Sequence, residues 1–90
     1  MISVEAIDSN SFKVSVTKDS STEHIVLLND CFHQNVTNNK LTKIELITNS
    51  FEFLLKRESN QSILKKFNLE VISQYFPEYI EKIKKNYSII

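Results

Sequence analysis

The chain contains no glycine. A phosphate loop, a dinucleotide fingerprint and a glycine-framed nucleophile elbow all need that residue, because the backbone must turn or approach a ligand where a Cβ would clash. Those designs are excluded. The same absence sets a local rule: each position with positive φ must be filled by Asn, Asp or a strained residue. Cysteine occurs once, at Cys31. No disulfide can form within the chain, which fits a reducing compartment. Proline occurs once, at Pro77, and arginine once, at Arg57, against ten lysines. Net charge is zero and the pI is near 6.7, so no global field draws the protein to nucleic acid or membrane. No apolar run has the length of a bilayer span. The N-terminal ISVEAIDSN lacks the basic and apolar regions of a signal peptide, and the expected placing is cytoplasmic.

What is present is ordinary for one small globular domain. The 90 residues are 41% hydrophobic and 24% charged. Charge is uneven along them: residues 1–30 hold five acids and two lysines, and residues 31–90 hold nine bases and six acids. The first 28 residues alternate. Val4 and Ala6 alternate with Ser3 and Glu5, and Phe12, Val14 and Val16 with Lys13, Ser15 and Thr17. DSNS (8–11) and KDSS (18–21) form turns between the runs, and HIVLL (24–28) is a third strand. Short links predict an antiparallel meander. The third strand is apolar on both faces and should be covered on both.

Helical signals follow. Asp30 is an expected N-cap for a short helix to about Val36, stopped by Asn38-Asn39. Thr42-Lys43-Ile44-Glu45 matches the capping box, with Leu41 and Leu46 at staple spacing. A helix is expected from Lys43 to Arg57, with Ile44, Ile47, Phe51, Leu54 and Leu55 on one face. Leu46 and Phe53 fall on the other side. The helix is therefore central, with the sheet on one side and later helices on the other; in the rival reading Phe53 meets solvent and a partner. Ser59 or Asn60 caps a short helix over 62–67, and Asn68 another to Phe76. Pro77 bends the chain. A last helix reaches about Asn86, with Phe76, Tyr79, Ile80, Ile83 and Tyr87 on one face, and residues 88–90 form a frayed tail.

Chemistry-bearing groupings are sparse. Cys31 and His33 diverge by about 200° on a helix, so they share neither a metal ion nor a proton there. The expectation is a buried thiol and a surface imidazole. No carboxylate pair suggests acid–base catalysis. No catalytic residue, cofactor or metal site is assigned. Lys56, Arg57, Lys65, Lys66, Lys82, Lys84 and Lys85 with Tyr75, Tyr79 and Tyr87 allow a nucleic-acid surface as the alternative. The solvating reading of these lysines is stronger. Arg57 has Glu78 or Glu81 as candidate partners, in an ion pair rather than a ligand clamp.

FEFLLKRE (51–58), followed by QSILKKFNLEVISQYFPEYIEKI (61–83), resembles a family of short bacterial proteins of unknown function. Members show a run like FEFLLERE, then SIL, a phenylalanine and ISRYFPEY. The likeness extends over roughly residues 11 to 83. Ser59 and Glu70 stand where that family often has proline, and Asn38-Asn39 where glycine is common. The resemblance implies a bacterial, cytosolic protein and carries no chemistry with it.

The expected architecture is α+β: a three-stranded antiparallel meander over 1–28, packed against a central helix, with two or three short helices after it, in one domain. The leading functional expectation is a non-enzymatic protein-binding or adaptor module. Its candidate surface is Phe53, Arg57, Tyr75, Glu78 and Tyr79. A homodimer through the third strand or Phe53 would add burial to a small core. An enzyme of unrecognised type is the remaining alternative.

Overall fold

The computed structural model describes residues 1–18 and 20–86, and the side chains of all of these except Asn86. Asp19 of the expected KDSS turn, Tyr87 of the last helix face and the expected tail at 88–90 lie outside them. The described chain is α+β, with a four-stranded sheet and four helices. β1 (Ile2–Ala6), β2 (Ser11–Thr17) and β3 (Ser21–Leu27) form the antiparallel meander that the alternation predicts. Phe12, Val14, Val16 and Val26 point inward and are buried. His24 and Thr22 share that inner side, because the register sets them opposite Val14 and Val16.

A fourth strand was not foreseen. Lys66–Asn68 forms β4, parallel to β3, where a helix over 62–67 is expected. Polar–apolar–polar alternation in Lys66-Phe67-Asn68 suits a strand with one inward residue, and Phe67 is buried. Ile25 N–H donates to the Lys65 carbonyl at 2.7 Å and Leu69 N–H to the Leu27 carbonyl at 2.9 Å, so β4 satisfies the β3 edge. The segment before it makes one 3-10 turn, Asn60–Ser62. The expected double covering of the third strand is met only on the inner face. On the outer face Ile25 and Leu27 stay half-buried, with Lys13 and Lys66 on either side of Ile25. The aliphatic stems of such lysines can shield a neighbouring apolar residue without a further layer.

Four helices follow: α1 (Asp30–Thr37), α2 (Lys43–Leu55), α3 (Val71–Tyr75) and α4 (Tyr79–Asn86). The cap of α1 is Asn29 rather than Asp30, with its side chain accepting from Phe32 N–H at 2.8 Å. Asp30 occupies the first turn instead, where it pairs with Lys43. Asn38 and Asn39 take positive φ, 51° and 61°, as the glycine rule requires. The capping box of α2 is complete: Glu45 N–H donates to Thr42 Oγ1 at 3.1 Å, and Thr42 N–H to Glu45 Oε1 at 2.9 Å. This helix stops at Leu55, two residues before the expected Arg57. Ile44, assigned to its apolar face, is 43% exposed near the N-terminus. Asn68 lies in β4 and caps nothing, so α3 is a single short turn ending at Phe76, whose non-helical ψ of 88° fits a residue before proline.

α2 stands between two aromatic layers, which is the central placing read from Phe51 and Phe53. On one side Phe51 meets His24 and Phe67, with ring centroids 5.4 and 6.1 Å apart. On the other Phe53 meets Phe76 edge-on at 5.8 Å and Tyr79 at 5.4 Å. Among the described residues no helix is long and apolar enough to cross a membrane.

Candidate functional site

The five candidate surface residues do not form one patch. Phe53 and Tyr79 are core residues, with Tyr79 wholly buried. The Ser50 hydroxyl donates to the Leu46 carbonyl at 2.7 Å. Its oxygen is then left to accept from the Tyr79 hydroxyl, so one polar chain ties α4 to α2. Burial pushes the Tyr79 hydroxyl pKa well above its ordinary value. Phe53 is therefore unavailable for a dimer contact. The mark of its fate is the arginine four residues on. The Arg57 guanidinium lies 3.7 Å from the Phe53 ring centroid and donates to the Phe53 carbonyl at 3.1 Å. Its Nε stands 3.7 Å from Glu78 Oε2, in the ion pair expected between these residues. Arg57 and Glu78 thus act as a clasp over a closed aromatic cluster, in which a planar cation covers a ring.

Tyr75 behaves differently. It is 68% exposed and stands on the rim of an apolar cleft of about 270 Å³. The cleft lies where the end of α2, the 3-10 turn and α3 converge, with Leu54, Phe67 and Ile72 among its lining residues. Leu64, 49% exposed, forms part of the wall, and Glu58 is the single charged lining residue. Neither Leu64 nor Glu58 was singled out in the sequence. Their signal is the SIL run and the end of FEFLLKRE, which the sequence pattern assigns to a short helix and to an ion pair rather than to a surface. Every lining residue falls within residues 51–58 or 61–83.

The Leu64 wall is held from behind by a buried histidine. His24 Nδ1 lies 2.8 Å from the Leu64 carbonyl, and Nε2 lies 2.9 Å from Thr22 Oγ1. A carbonyl only accepts, so Nδ1 carries the proton of this contact, and in the neutral ring Nε2 accepts from the threonine hydroxyl. Asn60, also buried, donates to the Ser20 carbonyl at 2.9 Å and to Thr22 Oγ1 at 3.2 Å. The backbone of the wall is thus fixed while the Leu64 side chain faces outward.

The chemistry of the cleft is sparse. Ser62, its hydroxyl-bearing nucleophile type, pairs with the Ser59 hydroxyl at 3.1 Å, and no histidine or cysteine lines the space. Cys31 is exposed rather than buried, because its side of α1 faces outward. His33 is half-buried rather than superficial, since its Nε2 contacts the Leu41 carbonyl. Among the described residues no three His, Cys, Asp or Glu side chains gather as metal ligands do. The nucleic-acid alternative loses a stacking residue, because Tyr79 is buried; Tyr87 lies outside the described residues. No family model matches the chain, and neither a curated protein nor a solved structure matches it.

Proposed function

We propose that this protein is a non-enzymatic binding module that docks a protein partner in the cleft between α2, the 3-10 turn and α3. The observation that carries this reading is the rim: Leu64 and Tyr75 are large, apolar-bodied and exposed at 49% and 68% beside a concave apolar surface. A small soluble domain gains nothing in folding from such a rim, whereas a partner gains burial from it. The volume of about 270 Å³ has room for side chains of a partner. The lone Cys31 and the likeness to short bacterial proteins favour the bacterial cytosol as the setting.

The test is affinity capture from the producing cells with the wild type and with Leu64→Ser and Tyr75→Ser variants. A captured protein is then purified and its binding reconstituted. The reading expects one that binds the wild type and is lost by both variants. A partner held equally by all three chains contradicts it.

A further inference from the structure

We propose that the segment seated in the cleft is apolar and cationic, a short stretch of large hydrophobic residues with a Lys or Arg placed to meet Glu58. This rests on the binding reading above and adds the chemistry of the partner. Ten residues line the cleft, and Glu58 alone among them is charged. Its neighbour Arg57 is turned away, stacked on Phe53 and paired with Glu78. Among the described residues no ion pair engages Glu58. Glu58 as a residue is half-buried already. A partner that covers it without a cation would strip water from an unpaired charge, and an acidic partner would add repulsion. A cationic one turns that cost into an attraction and makes Glu58 the residue that selects among apolar segments.

Short random peptides displayed on phage are the probe, selected on the wild type, on Glu58→Gln, on Glu58→Lys and on Leu64→Ser. Selection on the wild type should enrich peptides that combine large apolar residues with Lys or Arg. Synthesised versions should lose about two- to fivefold in affinity on Glu58→Gln, the range of a partly exposed charge pair. Their binding should weaken as salt rises. Selection on Glu58→Lys should shift to peptides bearing Asp or Glu. Leu64→Ser should cost about tenfold or more, since it removes an anchor rather than a rim charge.

Peptides that need Leu64 yet show no basic enrichment and ignore Glu58 overturn this inference and leave the binding reading standing. Peptides that bind without regard to Leu64 overturn both. Sedimentation of the wild type and of Leu64→Ser is run beside the selection. A dimer that Leu64→Ser dissolves gives the cleft to a second copy and also overturns the inference.

Discussion

FEFLLKRE and ISQYFPEYI feed two clusters of this molecule, one of which also takes Leu64 from the SIL run, and the two end differently. Phe53, Phe76 and Tyr79 form a closed cluster, covered by Arg57 and pinned by the Ser50 hydroxyl, with Phe76 half-buried at its edge and lining the cleft as well. Leu64 and Tyr75, against Leu54 and Ile72, form an open one. Both clusters are apolar, the closed one aromatic and the open one mainly aliphatic around Tyr75. What differs is the partner supplied within the chain. The closed cluster has a guanidinium over one ring and a hydroxyl for its phenol. The open one has a single carboxylate and no cation. An aromatic-rich stretch is core where the fold brings it a lid, and surface where it does not.

The comparison breaks most sharply at Tyr79. Tyr79→Ala should cost about 3–5 kcal/mol, most of the stability of a small domain. Tyr79→Phe should cost about 1 kcal/mol, because it removes the hydroxyl and leaves the ring in place. Urea denaturation of both separates the two effects. If Tyr79→Ala unfolds with an unchanged midpoint, the closed cluster is not core.

How much of this was legible follows from the range of each interaction. The meander, the capping box and the two asparagines at positive φ are local, and Phe12-to-Val16 alternation, Thr42-to-Glu45 spacing and Asn38-Asn39 displayed them. The Arg57–Glu78 pair was legible as one of two, with Glu78 or Glu81, because a lone arginine invites a carboxylate partner; its stacking on Phe53 was not. β4 was not readable. Three residues hold no period, and Lys66-Phe67-Asn68 is a strand only because β3 offers its edge. The burial of His24 has the same cause, since its partner Leu64 is forty residues away. The cleft was missed because Leu64 and Tyr75 are set apart in sequence and meet across a fold that β4 organises.

The clasp gives the next prediction. Arg57→Lys should lose about 0.5–1 kcal/mol, as a compact ammonium cannot stack on Phe53 and reach its carbonyl with the same geometry. Glu78→Gln should cost less, because this side chain is 47% exposed and solvent screens the pair. Thermal melting of both ranks them. Equal losses would mean that the ion pair, rather than the stacking, holds the clasp.

A smaller effect belongs to acid. The hydrogen bond and charge of Lys43 hold the Asp30 carboxyl below its ordinary value of 3.8. A carboxyl whose pKa is lowered by folding stabilises the fold above its unfolded pKa, and that contribution is lost as pH falls through the folded one. Asp30→Asn should therefore melt below the wild type near neutral pH and converge with it in acid below about pH 4. Parallel melting curves across that range would remove Asp30 from the account.

The least effect on stability is expected at the open surface. Leu64→Ser and Tyr75→Ser should each change unfolding free energy by about 1 kcal/mol or less, since the two residues are already 49% and 68% exposed. A loss as large as that of Tyr79→Ala would show that Leu64 or Tyr75 is packed in solution.

The distinction between the closed and the open cluster is tested most directly by NMR, with the labelled protein titrated by a peptide selected on the wild type. The account predicts shifts that concentrate on Glu58, Leu64, Val71 and Tyr75, while the Phe53 and Tyr79 rings keep their positions. Shifts centred on Phe53, Arg57 and Glu78, with Leu64 and Tyr75 unmoved, would contradict it.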